Sequence, residues 1–195
     1  MSVRLDIINS MLATTGTAKL AASDVGHPDY VAADQILDYV LDEFSGRALW
    51  FNHSCRTLAP NTDNRIVVPS NSVACDPSDT SLNYVQRGQY LFDMNNYTFD
   101  IESAVECIIQ TAIDLEDMPP VAIQYIRASA RFQYFVDKDG SRQKVEVYAQ
   151  ALSRYEEGLV AMNMKHSDVN FFKGAGYQDF ITRRQTTVGH LPIRT

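Results

Sequence analysis

Cysteines, membrane-spanning runs and leader-like segments are scarce or missing in this sequence. Its three cysteines lie far apart, at Cys55, Cys75 and Cys107, with no CxxC pair, so neither a disulfide framework nor a zinc site is indicated. No window approaches the roughly 18 apolar residues of a membrane span, and the start lacks an apolar signal-peptide run. We therefore expect a protein that is made in a reducing compartment and used in soluble form, with no membrane partner.

Motifs that commonly carry catalysis are missing as well. The sequence has no glycine-rich phosphate loop, no HExxH zinc motif and no GxSxG nucleophile elbow. Its four histidines fall in predicted loops or at element ends, and no two are four residues apart. Asp114, Glu116 and Asp117 could serve as a general acid and base, but a charge cluster at a helix entry is the favoured interpretation. We predict no catalytic residue, no bound metal and no cofactor.

Basic residues are outnumbered. The chain has 17 Lys and Arg against 24 Asp and Glu, which gives a formal net charge of -7. This balance argues against ordinary DNA binding, which needs Lys and Arg clustered against the phosphates. It is compatible with a surface that must repel DNA, and equally with plain solubility. Judged alone, the charge favours solubility.

Apolar periodicity predicts four helices. Ser2 can cap the first helix, which stops at Gly16, and Asp29 can cap the second. The third covers about residues 119–137 and is apolar on several sides, and a tight turn joins it to a fourth helix that opens at Ser141. The residues that we expect in the structural core are Leu37, Val40, Leu41, Phe44, Trp50, Phe51, Ile126 and Phe132.

Between residues 56 and 113 the pattern changes to that of short strands. Residues 71–79 have the composition of a loop, and Gly88 supplies the positive φ that a hairpin turn requires. The predicted strands are 65–68, a hairpin over 83–93, a short strand over 98–100 and an alternating strand over 104–112.

Together these elements predict a mainly α fold with a β insertion (α+β). Residues 1–55 and 114–164 would form an antiparallel four-helix bundle, and 56–113 a small β-rich domain between helices 2 and 3. Residues 165–195 would form an extended C-terminal tail, basic and aromatic. Because exposed aromatics are costly, we expect the tail to order against its own body or a neighbour; a floppy terminus is the alternative.

The candidate interface residues are basic or aromatic. Arg87 could reach a carboxylate on an adjacent subunit or simply brace its hairpin, and the pattern does not distinguish the two. Trp50 and Phe51 are more simply explained as core residues. The tail candidates are Phe171, Phe172, Tyr177, Phe180, Arg183 and Arg184.

The order of several short motifs is more specific than any one of them. Residues 47–52 read RALWFN, 66–69 read IVVP, 84–93 read YVQRGQYLFD and 114–119 read DLEDMP. In this order and spacing, over about residues 7–163, the chain resembles the tail tubular protein A family, the head-to-tail adaptors of short-tailed, podovirus-type bacteriophages.

The resemblance implies a structural virion protein of the tail, synthesised in the host cytoplasm. It implies a dodecameric ring that joins the portal protein to the tail nozzle protein and forms part of the DNA ejection channel, where DNA passes without sequence-specific binding. The basic aromatic tail against the acidic body is the candidate contact between subunits. Two alternatives stay open at this point: a glycan hydrolase activity, suggested for some members of the family, and a non-viral binding module.

Overall fold

The computed structural model describes residues 2–21, 24–139 and 141–171. The helices in these ranges are α1 (Val3–Leu12), α2 (Pro28–Ser45), α3 (Pro120–Lys138) and α4 (Arg142–Phe171). The strands are β1 (His53–Leu58), β2 (Ser72–Pro77), β3 (Tyr84–Arg87), β4 (Tyr90–Asp93) and β5 (Val105–Thr111). All the strand pairs are antiparallel, and all five strands lie between α2 and α3. The chain is therefore a mixed α and β protein with four helices in its described part.

The helix starts follow from capping chemistry. The Ser2 hydroxyl accepts a hydrogen bond from the Leu5 N–H at 3.3 Å, and Gly16 closes the first helical segment with φ +77°. The prediction that Asp29 caps α2 is wrong. Pro28 already occupies the first helical position, where its fixed φ suits a helix, and the His27 Nδ1 accepts from the Asp29 N–H instead.

Helix α3 is central to the packing of the helices. It contacts α1, α2 and α4, and its buried side chains are spread around it, as its sequence predicted. Helix α4 runs antiparallel to α3 after a short turn and packs mainly on it. Leu159 is the one fully buried α4 side chain in the described part of that helix. The other α4 side chains over residues 142–166 are half-buried or exposed.

The helical core contains four of the predicted core residues. Leu37, Val40, Phe44 and Ile126 are buried in it, while three others are half-buried against it: Leu41, Trp50 and Phe51. Phe132 is half-buried. It lies on the same side of α3 as Ala128 and Phe135, four residues before it and three after it, and both of these are buried. Phe132 is therefore beside the buried residues of α3 without being fully enclosed.

A second core lies under the strands. Strands β1, β5 and β2 form one sheet in that order, and β3 pairs with β4 as a hairpin. The predicted alternation of β5 is confirmed, because Val105, Cys107 and Ile109 are buried whereas Ile108 is 46% exposed on the opposite face. The buried members of this core are Ile66, Val68, Cys75, Leu91, Ile101, Val105, Cys107 and Ile109.

The hairpin prediction is confirmed, and three neighbouring ones need correction. Gly88 turns β3 into β4 with φ +62°. Residues 72–77, expected in a loop, form β2, because pairing with β5 overrides their weak strand propensity. Residues 65–68 pair only briefly, through bridges at Ile66 and Val67, since Pro69 has no N–H to continue a ladder. Residues 98–100 make one bridge, Asp93 to Thr98.

The element ends differ from two of the predicted segment boundaries. Strand β1 begins at His53, within the residues assigned to the helical unit. Helix α4 continues through residues 165–171, which were assigned to the tail. The sequence offers no helix-breaking Gly or Pro there before Gly174, so nothing local stops the helix earlier. The division into structural units at residues 55 and 113 stays a prediction.

Candidate functional site

The RALWFN segment forms the junction between the helices and the sheet. Asn52 is 4% exposed and closes the turn that follows α2. Its Oδ1 accepts from the Leu49 N–H at 2.7 Å, and its Nδ2 donates to the Arg47 carbonyl at 2.8 Å. Both bonds satisfy backbone groups that no regular element pairs. An asparagine, with one acceptor and one donor, suits this position.

The junction also holds the C-terminal half of α4. The Trp50 N–H donates to Asn163 Oδ1 at 2.9 Å, and the Trp50 indole stacks on the His166 ring with centroids 5.1 Å apart. The indole meets Phe51 edge-on at 5.0 Å. Trp50 and Phe51 therefore lie half-buried at the contact between α4 and the loop after α2, and they are not fully enclosed in the core.

Arg47 links three helices at the same place. Its Nη1 lies 3.2 Å from Glu156 Oε1 on α4, and its guanidinium lies over the Tyr125 ring of α3 at 4.9 Å. Burial raises the pKa of the Tyr125 hydroxyl, and the nearby Arg47 charge opposes that rise. The arginine of the motif therefore stabilises the packing of α2, α3 and α4 where they meet.

Strand β5 is fixed to the same junction. The Thr111 N–H donates to the Asn52 carbonyl at 2.7 Å, and the Gln110 side chain donates to the Ser45 carbonyl at the end of α2. Gln110 is 8% exposed, so little water competes for this bond. The helices and the sheet are joined by buried hydrogen bonds as well as by the chain itself.

Arg87 lies on the exposed face of the β3–β4 hairpin. Its guanidinium lies 3.9 Å from the Phe92 ring centroid, and its Nη2 lies 3.4 Å from Met94 Sδ. Within one chain it therefore braces the hairpin by a cation–π contact. Its guanidinium edge stays on the surface, so a contact with a neighbouring subunit remains a prediction.

Asp93 organises the turn after the hairpin. Its carboxylate accepts from the backbone of Asn95 and Asn96 and from the Asn96 side chain. Burial acts to raise the pKa of Asp93, but these hydrogen bonds outweigh it and hold the pKa below the ordinary value of 3.8. The charged form of Asp93 is the one that fits the fold.

The acidic joint before α3 makes a structural contact. Asp114, Glu116 and Asp117 are exposed at a 3-10 turn, and Glu116 Oε1 accepts from the Val3 N–H at 3.0 Å. The carboxylate thus satisfies an unpaired N–H in the first turn of α1. In residues 2–21, 24–139 and 141–171, no group of three or more His, Cys, Asp or Glu could hold a metal ion. Within those same ranges, none of the helices could span a membrane.

One surface feature was missed by the sequence analysis. Arg127 and Arg131 lie one turn apart on α3 and line a groove with Tyr148 and Tyr155 of α4. Arg127 Nη2 binds Asp6 Oδ2 at 2.5 Å, and the Arg131 guanidinium lies 5.3 Å from the Tyr148 ring centroid. The i, i+4 spacing of the arginines could have indicated a shared face, but not that α4 would form its other wall.

Comparison with known proteins assigns the fold and its motifs to a family. A family model described as tail tubular protein matches residues 5–169. The chain belongs to the tail tubular protein family. It is similar to tail tubular protein A of Klebsiella phage KP34, with 24% identity over 162 residues that cover 83% of this chain and 87% of that protein. The resemblance based on the order of the short motifs is confirmed.

Family membership makes this chain a structural component of a bacteriophage tail, and so of the virion. The match begins two residues into α1, covers α2, α3 and the five strands, and stops two residues before the end of α4. This assignment favours a virion role over a non-viral binding module.

The tail candidates cannot be placed in the same way. Phe171 is the last residue of α4, and its side chain lies outside the part of the chain that the structure describes. The other five candidates also lie outside the described residues: Phe172, Tyr177, Phe180, Arg183 and Arg184. Their role as interface residues stays a prediction.

Proposed function

We propose that this tail protein is the adaptor of the virion: a ring, dodecameric by family resemblance, that joins the portal protein to the tail nozzle protein. DNA passes through the lumen of this ring during ejection. The role is mechanical. The protein binds the portal, presents a new docking surface to the nozzle and keeps the channel open.

The observation that carries this proposal is the surface of α4. The helix has 30 residues, about 45 Å at 1.5 Å per residue, and its described outer side bears apolar residues in water. Val160 and Met164, which are one turn apart, are 50% and 61% exposed, and Val147, thirteen residues earlier on another side of the helix, is 63% exposed. Neighbouring exposed apolar side chains such as Val160 and Met164 commonly mark contact sites with other proteins. A tail component needs such surfaces on each copy.

The charge of the chain supports the channel part of the proposal. A net charge of -7 gives the protein a surface that repels phosphates on average, so DNA can slide along it rather than bind. The proposed ring requires no base-reading surface.

Substitutions on α4 test the adaptor role. Val160→Asp and Met164→Asp in one chain should abolish co-purification with portal rings and remove the ring from electron micrographs, because a charge would enter the contact. Both side chains are exposed, so the thermal midpoint should change little. Val25→Asp is the matched control, since Val25 is 55% exposed in the loop before α2. Portal binding by the double variant at the wild-type level would contradict the proposal.

Truncation tests the predicted role of the C-terminal segment. Removal of residues 172–195 leaves every described helix and strand in place, so the circular dichroism spectrum should keep its helical signal. Portal binding should be lost if the basic aromatic segment makes that contact. Undiminished binding by the truncated chain would show that the portal contact lies elsewhere.

A further inference from the structure

The groove between α3 and α4 has a size and a positive charge that suit the binding of one acidic side chain. Its volume is about 130 Å³, below the roughly 300 Å³ at which small-molecule pockets begin. Two guanidinium groups and two tyrosine rings line it, from Arg127, Arg131, Tyr148 and Tyr155. These groups offer hydrogen-bond donors, which suit a carboxylate.

Arg131 supplies the unused charge of this groove. Arg127 already forms an ion pair with Asp6, whereas no carboxylate within the described residues lies within 4 Å of the Arg131 guanidinium. The Nε atoms of both arginines are shielded from solvent and have no hydrogen-bond partner in the described structure. Shielded donors without acceptors are rare in folded proteins, because each forgoes its bonds to water. Because these Nε atoms are shielded, an incoming carboxylate would contact the part of the Arg131 guanidinium that lines the groove.

A complementary surface lies on α2. Tyr39, Asp42 and Glu43 are spaced i, i+3 and i+4, so they share one face, and Tyr39 is 62% exposed. We call this face the α2 ridge. The other three acidic side chains of α2 have partners within the chain: Asp34 and Asp38 share the single charge of Arg4 at 2.6 Å, and Asp29 lies 3.9 Å from His27 Nδ1.

The two ridge carboxylates are available for ion pairs with another molecule. Within the described residues, neither Asp42 nor Glu43 has a cation within 4 Å. The ridge therefore presents two carboxylates and an exposed aromatic ring. The groove presents an unpaired guanidinium and two aromatic rings. The two surfaces are opposite in charge, and both carry aromatic rings that could pack together.

We propose that the α2 ridge of one copy of this chain docks in the α3/α4 groove of the next copy. The inference rests on the proposed ring. A closed ring needs heterologous contacts, in which one patch meets a different patch on the neighbour, and the groove and the ridge lie on different helices. The chain's own last residues do not fit the groove by charge, because 172–195 contains four basic residues and one acidic residue.

Charge reversal on each surface tests the contact. Arg131→Glu gives a groove and a ridge that are both negative, and Asp42→Lys with Glu43→Lys gives two that are both positive. Each variant alone should fail to form rings on portal particles. An equimolar mixture should form them again, because every contact between unlike copies then joins opposite charges, and an even-numbered ring can alternate the two. Particle mass and electron microscopy with the portal present give the readout.

Two controls keep the result interpretable. Arg142→Glu makes the same charge change at a side chain that is 95% exposed, and rings should form as in the wild type. Circular dichroism of each variant checks that loss of the Arg131–Tyr148 contact has not unfolded the chain.

The outcomes separate the contact from the adaptor role. Rings from the wild type and equally from both charge-reversed variants would overturn the contact and leave the adaptor role standing. A mixture that stays unassembled would also overturn the contact. A wild-type chain that forms no ring with the portal would overturn both.

Discussion

Replacing Asn52 with alanine should destabilise the protein strongly, although the substitution removes only the side-chain amide group. The substitution leaves the Leu49 N–H and the Arg47 carbonyl without their partners. The bond to the Leu49 N–H is buried, and leaving that donor without a partner costs about 1–3 kcal/mol, whereas the bond to the Arg47 carbonyl is part-buried and costs about 1 kcal/mol, so the expected loss is about 2–4 kcal/mol in the free energy of unfolding. Against a total of about 5–15 kcal/mol, that loss is easily measured.

The single tryptophan makes the assay local. Trp50 lies in the junction itself, so its fluorescence during urea unfolding reports on the junction while circular dichroism reports on the helices. Both probes should shift to lower urea in Asn52→Ala. If the junction opens first, the fluorescence transition will precede the circular dichroism transition.

Asn61→Ala is the matched control. The Asn61 Oδ1 also accepts two backbone N–H groups, from Asp63 at 3.0 Å and Arg65 at 2.9 Å, but in an exposed turn. Water can replace those bonds, so the expected cost is about 1 kcal/mol or less. Equal destabilisation by Asn52→Ala and Asn61→Ala would refute the argument that burial of the Asn52 bonds sets their value.

Three further predictions concern the strands. Gly88→Ala should cost about 1 kcal/mol in urea unfolding, because alanine is strained at φ +62°; no change in midpoint would contradict this. The lowered pKa of Asp93 means that its charged form stabilises the fold above the ordinary value of 3.8, and that this contribution is lost as pH falls through the lower folded value. Wild type should therefore lose more stability than Asp93→Asn on acidification below about pH 5, and parallel losses would count against the assignment. In thiol labelling near neutral pH, exposed Cys55 should react first, because Cys75 and Cys107 are buried and burial raises the pKa of Cys75 to about 12; the pKa of Cys55 is raised too, so exposure decides the order, and three equal rates would disprove this.

Local signals in the sequence predicted the elements whose limits are set locally. Ser2 and Gly16 bound the first helical segment because capping and a left-handed turn depend on neighbouring residues. The alternation of β5 and the glycine of the hairpin were readable for the same reason. Strand β2 was not, because Ser72 to Pro77 becomes a strand only through its pairing with β5.

The candidate site was predictable to a smaller extent. The order of the short motifs, RALWFN among them, indicated the family, but the sequence could not show that Trp50 would stack on His166, more than a hundred residues away. The α3/α4 groove escaped prediction because Tyr148 meets Arg131 only after the two helices pack. Phe132 was overestimated as a core residue because apolar composition does not reveal how completely each side chain of a multiply packed helix is covered.

The unequal lengths of α3 and α4 have a geometric consequence. The two helices run antiparallel from a common turn, with 19 and 30 residues respectively. The last 11 residues of α4 therefore extend about 16 Å beyond the N-terminal end of α3. Within residues 161–166 of this overhang, Asn163 and His166 both contact Trp50, and Met162 is half-buried. A force on the overhanging part of α4 would therefore be transmitted through Trp50 to the loop after α2.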